Sequence, residues 1–318
     1  MGTFPAISVV TASYNVAEYI GQAIQSALAQ TFRDFELIVL DDGSTDATLD
    51  VVRQISDPRI RLEPRLHQGA PASLAAGIAL ARAPYLAFLD GDDFWNPNKL
   101  EKHIRFLDAH PTVDLTFSWS RIVDEFGRDT GLTSRLWKGS ISCAQLLADN
   151  VIGNGSSPVF RREALLAAGG IDATFPGCYD LDAWLRMSLM RPGNLVAIPE
   201  FLTYYRRRPG QLTADVPMME RSFNRLIEKM RTIAPEDAAR AEKKARSNMQ
   251  RFFAYGRYQA DDYSGALRTI ARSFRQAPAA FLSDARNWKM TAAALAGLVL
   301  PQRVLGYLTR AALRMKRA

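Results

Sequence analysis

Cysteine is scarce in this chain. Its 318 residues include two, Cys143 and Cys178, without paired or ligand spacing, which excludes a disulfide framework or zinc module and points to a reducing compartment. Nothing approaches the ~20 consecutive apolar residues of a membrane span; Thr291–Leu300 is apolar but stops at Pro301. The N-terminus shows no basic leader with an apolar core, so residence in the cytoplasm is expected. Helix-turn-helix, zinc-finger and RNA-recognition signatures are absent, so nucleic acid is not an expected partner. No internal repeat is found.

What is present suits a globular protein with an ample core, at 47% hydrophobic content. The net charge of +7 is unevenly spread. Residues 1–220 hold 20 Lys+Arg and 26 Asp+Glu (−6), whereas 221–318 hold 20 and 7 (+13). A basic end of this kind suits anionic lipid, nucleic acid or an acidic protein.

Short β-rich runs alternate with helical segments over the first hundred residues, as a mostly parallel α/β sheet requires. Strands are expected at 7–10, 35–40, 59–62, 85–89 and 113–119. Helices are expected from Asn15 as N-cap, at about 46–55, at 71–82, and after Asn96-Pro97. Residues 120–215 are mixed and rich in turns; beyond Pro217 the pattern is helical, broken near Pro235, Pro278 and Pro301. Two domains follow: 1–216, and a basic helical region, 217–318.

Two expected strands end in acids. Phe35–Leu40 runs into Asp41-Asp42, and Tyr85–Leu89 into Asp90-Gly-Asp92-Asp93. In an open parallel sheet, ligands bind beyond the carboxyl ends of the strands, so such acids can meet in one crevice. Carboxylates without neighbouring Cys or His favour a hard divalent ion, Mg²⁺ or Mn²⁺, of the kind that holds nucleotide phosphates. The competing interpretation is a solvated acidic turn capping the next helix.

Four motifs in order carry a resemblance. Val9-Val-Thr-Ala-Ser-Tyr14-Asn15, Leu40-Asp-Asp-Gly-Ser-Thr-Asp46, Phe88-Leu-Asp-Gly-Asp-Asp93, and Gly170-Ile-Asp172 with Tyr179-Asp180-Leu-Asp182-Ala-Trp184-Leu-Arg186 together resemble glycosyltransferase family 2. Its members are inverting enzymes with the GT-A fold, many of which build bacterial polysaccharides and cell-surface glycans. The resemblance spans 7–210 and implies a nucleotide-diphosphate sugar donor, with UDP leading. It implies that the base lies against Ala12, Ser13 and Tyr14, with Asp42 accepting from its imide nitrogen. It further implies that Asp90 faces the ribose, Asp92 binds a divalent metal with Asp93 assisting, and Arg206 or Arg208 steadies the diphosphate. Asp180 is the implied base and Asp182 its rival. Three positions depart from the family: Tyr179 where Glu is usual, Leu74-Ala75 where Arg-Asn is frequent, and Arg208 where His is frequent.

The implied acceptor is a hydroxyl of a glycan or a lipid-linked saccharide. Residues 291–318 mix apolar positions at helical spacing with cations, which suits either an anionic membrane surface, and hence peripheral attachment, or packing on the catalytic domain. Two other functions would also use strand-end acids or a nucleotide-sugar site. A sugar-1-phosphate nucleotidyltransferase should carry a Gly-rich phosphate loop where Ala12-Ser-Tyr-Asn15 stands; a non-catalytic nucleotide-sugar-binding partner would not need Asp92 and Asp180.

Overall fold

In a computed structural model describing residues 4–300, the β-rich runs become strands of one mixed sheet. The chain begins β1 (Ile7–Ser13), α1 (Ala17–Leu28), β2 (Phe35–Asp41), α2 (Thr48–Arg53), β3 (Ile60–Pro64), α3 (Ala70–Leu80), β4 (Tyr85–Phe88), the β-α-β-α-β-α-β order expected. It continues through β5 (Phe94–Trp95), α4 (Lys99–Ala109), β6 (Leu115–Val123), β7 (Asp129–Thr133), β8 (Gly139–Ser140), α5 (Cys143–Ala148), β9 (Pro158–Arg161), α6 (Arg162–Ala167), α7 (Tyr179–Ser188) and β10 (Leu195–Arg206). The strand order is β3-β2-β1-β4-β9-β6-β10-β5, with β7 on β6 and β8 on β10. Strands β1 to β4 are mutually parallel, while β9 runs antiparallel to both its neighbours.

All seven residues of β2 are buried, as in a strand covered on both faces. Period-two alternation divides the covering. Ile7, Val9, Leu37 and Val39 join Ile20 and Ile24 of α1 and Leu100, Ile104 and Leu107 of α4 in one core. Val10 and Leu40 face α3, so closely that a Cβ on Gly77 would stand 2.3 Å from Val10 Cγ1 and 2.8 Å from Leu40 Cδ1. Only glycine admits this approach.

Two expected caps are corrected. Asn15 does not cap α1, whose N-cap is Val16 without a side-chain bond. Asn15 adopts φ 50 and sends its side chain to the next loop, while the first N–H groups of α1 are served from β2's side: Val16 N donates to Thr48 Oγ1 and Ala17 N to Asp46 Oδ2. Likewise α4 is capped at Asn98, not Asn96; Asn96 Oδ1 accepts from Asn98 N within the preceding turn.

By contacts the chain forms two units, 1–142 with 151–209, and 143–150 with 210–318. In the second, α5 is joined by α8 (Val216–Ile233), α9 (Pro235–Gln259), α10 (Tyr263–Gln276), α11 (Pro278–Leu282) and α12 (Ala285–Val299). Pro235 and Pro278 each start a helix, where their missing N–H costs nothing. Ala254, Ala266, Ile270, Phe281, Met290 and Ala294 form its small core, and Asn248 donates to Ala148 O of α5. Among the described residues no helix is long and apolar enough to cross a membrane. Pro301 and the segment 303–317, part of the stretch considered for membrane contact, lie outside the described residues.

Candidate active site

Because β1, β2 and β4 are parallel, their C-terminal loops open on one edge. Side chains staple these loops together. Asn15 Oδ1 accepts from Thr45 N (2.8 Å) and Asp46 N (3.3 Å), and Ser44 Oγ accepts from Asn15 N (3.1 Å). Asp42 N donates to Ser13 O at 2.8 Å. On the other flank a Cβ on Gly91 would stand 3.1 Å from Val16 Cγ2 and 3.4 Å from Ser13 Cβ. The acidic turn after β4 thus packs on the β1 loop, and Ser13 stands between the two acidic turns.

Ala12 and Ser13 close β1, with Ser13 Oγ donating to Leu40 O. Tyr14 is 42% exposed and its ring stacks on His67, centroids 4.1 Å apart. Asp42 is buried at the start of α3. Its Oδ1 accepts from Gln68 N (3.0 Å) and Ser73 Oγ (2.9 Å), and its Oδ2 from Gly69 N (2.8 Å), with His67 Nδ1 also at 2.8 Å. These four contacts use the carboxylate's acceptor positions, so an imide N–H reaching Asp42 must displace one of them. Leu74, where the family often has Arg, is buried.

Asp90, Asp92 and Asp180 come together. Burial, then the charges of Asp92 and Asp180, pushes the Asp90 carboxyl up to about 7. Burial also raises Asp180, whose Oδ1 accepts from Leu181 N at 2.7 Å. Tyr179 faces the same group: burial and then Asp90 and Asp180 hold its hydroxyl well above the usual range. Cys178, just before, adopts φ 57, and burial beside Asp180 pushes its thiol up to about 12. Left-handed backbone at a non-glycine residue is uncommon and marks a site held in place by its surroundings.

The remaining acids face inward. Asp93 accepts from Ser156 Oγ (2.6 Å) and Arg206 N (2.8 Å). Asp182, fully buried, accepts from Arg186 Nε at 2.9 Å, and that guanidinium also donates to Ala168 O and Gly170 O. Asp182 is thereby committed to tying α7 to the turn after α6.

The two arginines also separate. Arg206 was expected as a diphosphate contact, but it is 2% exposed and its guanidinium donates to Asp92 O (2.6 Å), Asp124 O (3.3 Å), Glu125 O (2.8 Å) and Gln22 Oε1. It lies over the rings of Tyr19 and Phe94. Its positive charge is spent holding the acidic turn, because main-chain carbonyls there need donors once buried. Arg208 instead sits on the acid expected to bind metal, with Nε 2.7 Å from Asp92 Oδ2.

Would these residues suit a divalent ion? Mg²⁺ is commonly held by one or two carboxylates plus substrate phosphates. Asp90 and Asp92 provide hard oxygen donors whose mutual repulsion a cation relieves, so the donor set fits. Among the described residues no group of three or more His, Cys, Asp or Glu side chains is arranged to hold an ion.

With this geometry in view, the Glycosyl transferase family 2 model matches residues 8–166. The chain belongs to glycosyltransferase family 2. It is 36% identical over 115 residues to the Escherichia coli UDP-Glc:alpha-D-GlcNAc-diphosphoundecaprenol beta-1,3-glucosyltransferase WfaP, covering 36% of this chain and 45% of that one. The matches to curated relatives span from 42% to 69% of those relatives' length. In fold it is similar to Staphylococcus aureus TarS 1-349 solved with UDP-GlcNAc, with TM-score 0.64 and 17% identity, covering 91% of this chain and 90% of that one. It is also similar to the mannosyltransferase PcManGT from Pyrobaculum calidifontis solved with GDP-Man and Mn2+, with TM-score 0.53 and 17% identity, covering 98% and 80%. The GT-A fold is therefore shared.

The family match ends before Asp180, Arg206 and Arg208; geometry alone gathers these around the acidic turn. Some residues of the site had no sequence signal. Ser156 accepts from Asp90 N at 3.0 Å and donates to Asp93, so a loop residue over sixty positions away sets the acidic turn. A Cβ on its neighbour Gly155 would lie 3.5 Å from Asp90 Oδ2. His67 lay in a stretch without periodicity; Tyr179 stood out only as a departure from the family.

Proposed function

We propose that this family 2 protein is an inverting glycosyltransferase. It transfers a sugar from a nucleotide-diphosphate donor, UDP-linked by preference, to a hydroxyl of a glycan or lipid-linked acceptor. The observation that carries the proposal is the convergence of Asp90, Asp92 and Asp180 at the strand-end edge that also presents Tyr14 and Asp42.

In this reading Asp180 takes the proton of the acceptor hydroxyl as that oxygen bonds to the anomeric carbon. The bond from that carbon to the diphosphate breaks on the opposite side, and its electron pair leaves with the diphosphate. Burial raises Asp180 toward the working pH, which makes it a better base than an exposed carboxylate. Tyr179 lines the same wall as a neutral group, leaving the carboxylate as the proton's destination. Arg208, whose Nε lies 2.7 Å from the Asp92 carboxylate, would stabilise the departing charge. Asp92, helped by Asp90, would hold a divalent ion, which when bound supplies Lewis-acid stabilisation of the diphosphate.

The first unit carries the chemistry in this scheme; the second keeps the enzyme at an anionic membrane surface where a lipid-linked acceptor resides. Ala285, Trp288, Ala292, Leu295 and Val299 are all exposed and recur at three- and four-residue spacing along α12, one apolar face on a basic region. Co-sedimentation with anionic vesicles tests that part. The chemistry is tested by Asp180→Asn. The variant should bind UDP-sugar with Mn²⁺ as the native protein does, by thermal shift, and lose transfer; unchanged turnover would remove Asp180 from its role.

A further inference from the structure

We propose that His67 holds the seat of the nucleobase and that a donor binds by displacing it; the inference rests on the donor reading above. The His67 ring makes two contacts at once. Its face lies on Tyr14 with centroids 4.1 Å apart and planes 28° from parallel. Its Nδ1 lies 2.8 Å from Asp42 Oδ2 and 3.0 Å from Asp42 O. A planar ring with an N–H at its edge thus stacks on the tyrosine while its edge meets the carboxylate. Those are the contacts that Tyr14 and Asp42 would offer a base.

The other three partners of Asp42 are fixed. Gln68 N and Gly69 N are main-chain groups, and Ser73 Oγ is buried within α3. The His67 side chain is 54% exposed and belongs to the connection between β3 and α3, so it alone can swing aside without unmaking the loop. Its departure frees one acceptor position on Asp42 and the face of Tyr14. A base with a ring N–H on its pairing edge fills both: uracil or thymine through N3–H, guanine through N1–H. Cytosine and adenine present a bare ring nitrogen there, which meets the carboxylate lone pair to lone pair. The seat therefore selects UDP-, dTDP- or GDP-linked donors over CMP- and ADP-linked ones.

Calorimetric titration of the full chain and of His67→Ala with UDP, GDP, CDP and pyrophosphate tests this. Losing an exposed stack and one hydrogen bond should tighten binding of UDP or GDP roughly three- to tenfold in His67→Ala, leave pyrophosphate unchanged, and leave CDP the weaker nucleotide in both proteins. His67→Phe keeps a ring against Tyr14 and should show less gain than alanine. Equal or weaker nucleotide binding by His67→Ala, an equal gain in His67→Phe, or CDP matching UDP would overturn the inference while the donor reading stands. Failure of both proteins to bind any of these nucleotides would overturn both.

Discussion

Lys99 is fully buried, and replacing it with methionine gives a test of how the core behind the acidic turn is built. Its Nζ donates to Ser157 O (2.5 Å) and Thr203 Oγ1 (3.2 Å), with Ser118 Oγ and His103 Nε2 each at 3.5 Å. Every one of these partners is neutral or, for His103, itself held well below its usual range by burial and by Lys99. Burial alone holds the Lys99 ammonium well below its ordinary value. The unfolded chain therefore binds this proton more tightly than the folded one, and stability rises with pH between the folded and unfolded values. Each pH unit in that window is worth up to about 1.4 kcal/mol. Lys99→Met removes the titration. The stability of the variant relative to the native protein should therefore fall as pH rises through the window below the ordinary lysine value, with a slope no steeper than that. Denaturant unfolding at several pH values measures it, with each midpoint read at constant slope. A pH-independent difference would mean that Lys99 keeps its proton on folding, and the account of this core would fail.

The paired acids of α7 should respond oppositely: Asp182→Asn strips Arg186 of its buried partner and should cost roughly 3–5 kcal/mol in chemical denaturation. Asp180→Asn should leave the midpoint nearly unmoved while turnover drops by about 10²–10⁴. Arg208→Gln removes a cation from Asp92 and should tighten Mn²⁺ binding in the absence of nucleotide, read by electron paramagnetic resonance of the free ion, while weakening UDP binding. Arg206→Met, by contrast, leaves the carbonyls of Asp92, Asp124 and Glu125 without their donor and should lower the melting temperature. Gly77→Ala places a methyl into Val10 and Leu40, with an expected overpacking cost of about 1–3 kcal/mol; a midpoint equal to the native one would show that α3 can shift.

The strand and helix order of the first hundred residues was legible because apolar period and turn chemistry are local. Boundaries slipped where a distant side chain intervened. Asn15 looked like a cap because Asn before an apolar stripe caps many helices, yet here Thr48 and Asp46 serve that helix and free Asn15 to brace the neighbouring loop. The middle of the chain was opaque: β9 enters the sheet between β4 and β6 through long-range pairing, and residues 143–150 join the helical unit.

The amino-acid order by itself determined where the acids stand, at the ends of buried runs, and which family pattern they follow, since both are properties of spacing. Tertiary structure decided what each charge does. Whether a carboxylate or guanidinium meets a ligand or a neighbour depends on which donors and acceptors burial leaves it to satisfy, and those come from anywhere in the chain. Asp182 and Arg206 were drawn inward by Arg186 and by three main-chain carbonyls, while Asp90, Asp92 and Asp180 were brought together.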